Sequence, residues 1–410
     1  MVLVALLIRL VVAGFLYSEQ LDPERDHWRF SYENGRLARS IVEGRGFSSP
    51  LFEETGPSAW MTPVYPYLTA GVFKVFGIYS TASAFVLLFL QSLISALNCW
   101  PLYHVALKLF GRRMAVWSGW AWVFFPYGVY FPAERIWSTW LSTTLFTVLF
   151  LGTWYLEKSS RLSRWAGLGL LWGVAALTDP IVLAAWPFMT GWACYRLHRR
   201  KQRWIMPLAA AVLTLMVAVA PWFIRNYEVF GRIIPFRDNA GLEMHIGNTG
   251  ETLHWRPRWV GPWHNDAEWN AFKNLGELAY MEREKQRALD FIRSHPGWFA
   301  AVTVRRFAYI WTGFWSFDKR YLAEEPLDPP NVFFSTVLTV SMLVGLRRLW
   351  RQDREVAILF ALVFFFFPAI YYVTHVEVYF RRQIDPLILL LAVYAFAPKK
   401  LAAGEPATGS

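Results

Sequence analysis

The chain has 410 residues, 55% hydrophobic and 18% aromatic, with a formal net charge of +11 and a mean hydropathy of +0.27. That much apolar surface excludes an ordinary soluble domain, and several apolar runs reach or approach the ~20 residues that span a bilayer. The charge does not point to nucleic acid, because the basic residues cluster beside those runs. The two cysteines, Cys99 and Cys194, lie inside apolar runs, which speaks against a disulfide framework and a thiolate metal site.

The first run, Met1–Tyr17, has no small-residue cleavage pattern after it and reads as a retained helix. Arg9 inside it either faces the bundle or snorkels. Further runs fall at about 82–108, 114–131, 138–156, 165–178, 180–195, 205–223, 331–346, 355–373 and 379–397. The expectation is an all-α polytopic membrane protein of about ten transmembrane helices, forming a single membrane-embedded domain over 1–410. Thr178-Asp179-Pro180 reads as a tight turn between two of them.

The short loops set the orientation. Lys108, Arg112 and Arg113 flank one; Lys158, Arg161 and Arg164 the next; Arg196, Arg199, Arg200, Lys201 and Arg203 a third; Arg347, Arg348, Arg351 and Arg354 a fourth. Lys399 and Lys400 follow the last run. With ten alternating spans all seventeen fall on one side, while the intervening short loops hold little beyond Arg135. The positive-inside rule places both termini in the cytoplasm.

Two longer segments then lie outside, 18–81 and 224–330. Within them 66–77 and 296–315 are apolar but short or interrupted by charge, as expected of helices lying in the membrane interface. The first outer loop carries Asp22, Asp26 and Glu33, and residues Arg29–Glu43 read as a helix stopped by Gly44-Arg45-Gly46. Asp179 lies at an outer turn. Arg225-Asn226-Tyr227 follow an outer helix end, and His375, Glu377, Arg381 and Arg382 open the last span on the same side. Ionisable groups at membrane depth are costly, so their one-sided gathering marks a site.

The order of motifs resembles bacterial family 39-type glycosyltransferases of the GT-C class, relatives of protein O-mannosyltransferases and of the aminoarabinose transferase of lipid A. The matching residues are Gly35-Arg36-Leu37-Ala38-Arg39-Ser40, Glu43-Gly44-Arg45-Gly46-Phe47-Ser48-Ser49-Pro50, Pro63-Val64-Tyr65-Pro66 and Phe76-Gly77. They continue with Pro221-Trp222, Arg225-Asn226-Tyr227, Phe230-Gly231, Gly241-Leu242-Glu243, Gly247-Asn248 and Phe380-Arg381-Arg382-Gln383-Ile384-Asp385-Pro386. The resemblance implies a GT-C-like fold, a polyprenyl-phosphate sugar as donor, and a catalytic carboxylate in the first outer loop. It departs in detail. Relatives usually place the acid where Phe30 stands, and this chain has Asp26 and Glu33 about a helical turn away on either side. Gln383 replaces a usual proline, and Tyr379 and Phe380 stand in place of Arg and Tyr.

The chemistry asks for the same residue types. Polyprenyl phosphate is a good leaving group, so the enzyme must deprotonate an attacking acceptor hydroxyl or amine and hold the departing phosphate. A carboxylate base contributes typically ~10²–10⁴-fold, and the planar fork of arginine matches phosphate oxygens. Glu33 is the expected base with Asp26 its rival. Arg225 and Arg381 are the expected phosphate clamps, with Arg382 behind them. Tyr65, Asp179, Glu243, Asn248, His375 and Glu377 complete the substrate-site candidates. A single displacement predicts inversion at the anomeric carbon. The acceptor can be a lipid, a glycan or a protein.

Weaker signals surround this set. His245, His254, His264 and Asp266 are spaced too loosely to support a metal, and no metal or cofactor is expected. Trp255, Trp259, Trp263 and Trp269 read first as an interfacial aromatic belt and second as sugar-stacking residues. No phosphate-binding loop supports nucleotide-driven transport. The rivals are a lipid or small-solute transporter, which should show an internal repeat and midplane polar groups, and a non-catalytic assembly subunit. Glu33, Arg225 and Arg381 around one outer cavity is the arrangement that would favour the enzyme. A bacterial inner membrane is the expected setting.

Overall fold

The computed structural model describes residues 1–16, 30–134, 136–249, 260–263, 265–315, 328–377 and 380–398. Asp22, Asp26, His254, His264, Trp255, Trp259, Tyr379, Lys399 and Lys400 lie outside the described residues. The described residues are helical, with no strand and one isolated bridge, Ser48 to Pro57.

In chain order the helices are α1 Val2–Leu16, α2 Glu33–Val42, α3 Val64–Phe76, α4 Thr81–Leu97, α5 Cys99–Phe110, α6 Arg112–Val123, α7 Pro126–Glu134, α8 Thr139–Leu156 and α9 Leu162–Thr178. There follow α10 Trp186–Arg199, α11 Ile205–Phe230, α12 Ala240–Gly247, α13 Asp266–Leu275, α14 Glu277–Ser294 and α15 Pro296–Thr312. The last are α16 Asp328–Gln352, α17 Arg354–Phe366, α18 Ala369–Val373 and α19 Asp385–Ala395.

Four helical stretches are long and apolar enough to cross a bilayer by length and composition: Thr81–Phe110, Ile205–Phe230, Pro330–Gln352 and Arg354–Val373. The apolar α1 is shorter. The other expected spans are helical, but they are shorter, interrupted or more polar. The run 114–131 breaks before Pro126, and 180–195 opens with a 3₁₀ turn over Pro180–Ala184. The expected turn at Thr178-Asp179-Pro180 is present: α9 ends at Thr178, and the Asp179 side chain accepts from the Ile181 N–H at 3.5 Å.

Packing explains why short apolar helices persist. Gly169 and Gly173, four apart on α9, face α11 so closely that a Cβ on Gly169 would lie 2.1 Å from the Ala211 carbonyl oxygen. Small residues at that spacing let helix backbones meet, the main source of attraction when the solvent is itself apolar. Arg9 faces the bundle. It is fully buried and donates to Ser95 Oγ at 2.9 Å and to the carbonyls of Ala5, Val123 and Trp122. Cys99 and Cys194 are both buried and free.

The basic loops gather at one end. Lys108 lies 3.8 Å from the Tyr155 ring centroid, and Arg196 bridges Glu157 and Glu355 at 3.1 and 2.5 Å. Arg348 donates to the carbonyls of Tyr394, Ala395 and Ala397 at the end of α19. At the other end the two long loops fold over the bundle. There α3 and α15 occupy the segments expected to lie in the interface, and each keeps exposed apolar residues, Val75 and Phe76 on α3 and Val304 and Phe307 on α15. Trp263 and Trp269 are partly buried between the two long loops. They pack on Trp60 and Phe272 in the core shared by the two loops.

Candidate active site

Glu33 is the first residue of α2, and the chain enters that helix through Ser31 at φ 66° and Tyr32 at φ 38°. Two consecutive non-glycine residues in the left-handed region store strain, which persists only where the surroundings hold it. Here Phe30 does so, packed edge-on against Phe73 and Tyr79 at 5.3 and 5.4 Å. Asn34 adds a 2.9 Å hydrogen bond to Thr69 Oγ1. The position at which the resemblance would put an acid is therefore filled by a buried ring. Glu33 sits at a helix N-terminus, where the unpaired N–H groups favour negative charge.

The Glu33 carboxyl has no side-chain hydrogen-bond or ion-pair partner at contact distance among the described residues. Desolvation by the surrounding protein pushes it up to about 7, opposed by Arg36 and Arg237 and reinforced by Glu243. Its charged surroundings thus come from its own helix, from the loop after α11 and from α12. Glu243 accepts from Asn239 Nδ2 at 2.8 Å and lies 3.5 Å from His375 Nδ1, which also approaches the Glu243 carbonyl at 3.3 Å. Burial lowers the His375 imidazole, which favours its neutral form.

Arg237 is the cation that joins these groups, and sequence reasoning missed it. It donates from Nε to the Trp60 carbonyl at 3.2 Å, and its charge acts on Glu33, Asp179 and Asp238. Asp179 is raised by burial against the pull of Arg237, the Ile181 N–H and the Gln383 amide. The signal that could have found Arg237 is its place in Phe236-Arg237-Asp238, directly before the matched Gly241-Leu242-Glu243. Beside it, Asp238 and Glu277 form a second feature that the sequence did not reveal. These two buried carboxyls face each other, with burial pushing Asp238 up to about 6 and Glu277 well above the usual range. Glu277 accepts from the Ala59 N–H at 2.6 Å, and the Asp238 N–H donates to the Ala59 carbonyl at 3.1 Å. The pair therefore ties the first outer loop to the second.

The arginines expected as phosphate clamps lie elsewhere. Arg225 donates to the carbonyls of Ser58 and Phe47, both at 2.7 Å, and to Asn226 at 3.0 Å, tethering the first outer loop to the end of α11. Arg381 and Arg382 are buried and share one carboxylate, Asp385, at 3.3 and 2.8 Å. Arg381 also donates to the Ile310 and Trp311 carbonyls, and Arg382 lies 3.5 Å from the Tyr127 ring centroid. Arg381 Nη2 and Arg382 Nε have no acceptor among the described residues. Together with Glu377, Asn331 and Ser335 these two arginines line a cavity of ≈ 20 Å³, room for about one water. Neither Arg225 nor Arg381 is among the charged neighbours of Glu33; Arg237 takes that place.

Two further candidates make buried hydrogen bonds to other helices. Tyr65 is buried and donates to Gln91 Oε1 at 2.7 Å. Asn248 donates to the Met244 and Val373 carbonyls and accepts from buried Arg306, joining α12, α15 and the end of α18. His245 pairs with Glu284. No group of three or more His, Cys, Asp or Glu is placed to hold a metal ion among the described residues.

No protein-family model matches the chain, and no curated protein matches it in sequence. Two solved chains match in structure, both ArnT from Cupriavidus metallidurans, one bound to undecaprenyl phosphate and one in the apo state. Each is 14% identical, with 95% of this chain and 76% of that chain covered and a TM-score of 0.37. A likeness of that size transfers neither the activity nor the lipid of ArnT to this chain.

Proposed function

We propose that the chain is a membrane glycosyltransferase that moves a sugar from a polyprenyl-phosphate donor to an acceptor hydroxyl or amine, with inversion. The observation that carries this reading is Glu33: a buried carboxyl at the start of α2, pushed up to about 7 by desolvation and lying in the field of Arg36, Arg237 and Glu243. A base that titrates near the working pH combines a useful carboxylate fraction with a strong pull on the acceptor proton. The family 39-type motifs around Glu33 support the same reaction class.

In this scheme Glu33 takes the proton from the acceptor as its oxygen or nitrogen attacks the anomeric carbon. The bond from that carbon to the phosphate oxygen breaks, and the phosphate leaves with the electron pair. Arg36 and Arg237, the two cations whose charge acts on Glu33, are the candidates to receive the departing phosphate. Arg381, with one N–H group unfilled, and Arg382 are candidates for the lipid phosphate if their small cavity opens. Arg225 contributes by holding the first outer loop in place. Asp26 remains the rival base. The setting we infer is a bacterial inner membrane with both termini in the cytoplasm.

The deciding experiment reconstitutes the purified protein with a panel of polyprenyl-phosphate sugars and scores transfer and hydrolysis, comparing Glu33→Gln with Asp26→Asn. Loss in Glu33→Gln alone supports the scheme. Full activity in both variants, or translocation of donor without transfer, would sink it.

A further inference from the structure

At the end of the bundle where the basic loops gather, α10 and α11 diverge from their connecting turn and leave a groove of ≈ 520 Å³ with predominantly apolar walls. Trp186, Thr190, Cys194 and His198, each four residues after the last, form one wall along α10; Trp204 and Leu208 form the other. From Trp186 to His198 the helix rises about 18 Å, a little more than half the ~30 Å hydrocarbon core. Gly191 opens the groove: a Cβ there would meet no atom within 4 Å. Gly191 thus borders open space, while the neighbouring helix pair α9 and α11 is tightly packed.

The mouth of the groove is a fixed cationic turn. Arg199, Arg200, Lys201 and Arg203 are exposed, and none has a carboxylate within ion-pair distance among the described residues. The adjacent Arg196, by contrast, is held by Glu157 and Glu355. Lys201 adopts φ 57°, a conformation that normally selects glycine. The Gln202 N–H donates to the Leu197 carbonyl at 3.0 Å and the Lys201 N–H to the His198 carbonyl at 2.9 Å. The backbone of the turn is thereby fixed, and the four cations stand beside the end of the groove.

We propose that this groove binds one anionic phospholipid, with an acyl chain along the Gly191 face of α10 and the headgroup phosphate on the turn 199–203. Length, apolar lining and an unpaired cationic mouth together fit an amphiphile with one negative end. A neutral lipid would leave the cations unanswered, and a soluble anion would leave the apolar walls unfilled. The inference requires the chain to be a membrane protein, and it stands whether or not the chain transfers sugar.

The test uses the full chain, exchanged into bilayers of phosphatidylcholine and phosphatidylglycerol in equal amounts, extracted in mild detergent and measured by native mass spectrometry. One phosphatidylglycerol should stay bound to the wild type and phosphatidylcholine should not. Gly191→Leu puts a side chain into the groove at a position where its Cβ meets no atom within 4 Å, and should lower retention about tenfold. The fourfold variant R199Q/R200Q/K201Q/R203Q should hold the two lipids equally. Thermal unfolding in detergent checks that both variants fold. Equal retention of both lipids by the wild type, unchanged retention in Gly191→Leu, or capture of undecaprenyl phosphate instead would overturn the proposal.

Discussion

Gln383 donates its side-chain amide to the Asp179 carboxylate at 2.8 Å across 204 residues of sequence. Gln383 stands where the motif it resembles has proline, and proline has no side-chain donor. The departure supplies a hydrogen bond that fixes Asp179 at the turn after α9, within the field of Arg237. Hydrogen bonds to a charged group contribute about 1.5–3 kcal/mol.

Replacing Gln383 by leucine is expected to lower sugar transfer about 10- to 100-fold with little change in expression, the size following from that hydrogen bond. Initial rates in proteoliposomes check it. Unchanged rates would remove Asp179 from the active arrangement.

The Glu33 carboxyl, raised to about 7, must be ionised to accept a proton. The rate should therefore be flat above about pH 7 and fall tenfold per unit below it. Glu33→Gln should lose this acid limb together with about 10²–10⁴-fold in rate. A limb near pH 4 in the wild type would show that another, unperturbed carboxylate is the base.

Arg237 lies among Glu33, Asp179 and Asp238, and it has no counterpart among the arginines expected from the motifs. Arg237→Lys retains charge but not the fork, so it should keep part of the activity that Arg237→Ala loses, with the larger effect on kcat. Equal activity in all three proteins would place the departing phosphate elsewhere.

The Asp238–Glu277 pair gives stability a pH dependence. Both carboxyls are raised by burial, so between the ordinary value of 3.8 and about 6 the folded protein binds protons that the unfolded chain has released. The contribution is complete below that window and is lost as pH rises through it. The thermal midpoint should drop by several degrees between about pH 4.5 and about pH 7. Asp238→Asn, which can donate to Glu277 without ionising, should flatten the curve.

Packing between α9 and α11 has its own control. Gly169→Ala drives a methyl to 2.1 Å from the Ala211 carbonyl, whereas Gly167→Ala meets no atom within 4 Å. The first should destabilise by about 1–3 kcal/mol and the second should be near neutral, as judged by detergent melting curves. Equal effects would mean that the two helices separate freely.

The class of this protein was legible in its sequence because hydropathy and charge placement are local properties. Apolar runs predict helices, and the structure has helices in each of those places. Lysines and arginines counted loop by loop predict a common end, and there Arg196 joins Glu157 and Glu355 while Arg348 caps the last helix. The turn at Asp179, the α2 helix and the inward-facing option for Arg9 followed from the same local chemistry. Length alone did not settle the spans, since packing at Gly169 and Gly173 stabilises helices that hydropathy would rate as too short.

The site was half legible. Glu33, Asp179 and His375 were named as ionisable groups on the outer face and Glu243 from its motif, all four of the residue types that acid–base chemistry needs. Only the tertiary structure decided which cation faces them. Arg225, Arg237 and Arg381 are equivalent as letters. The fold commits Arg225 to two loop carbonyls and Arg381 to Asp385, and leaves Arg237 between the carboxylates. The same holds for Asp238 and Glu277, which the sequence did not single out and which are buried together where the two outer loops meet. Local periodicity determines what each segment is; partners far apart in sequence determine what each charge does, because burial and proximity arise only when the chain has folded.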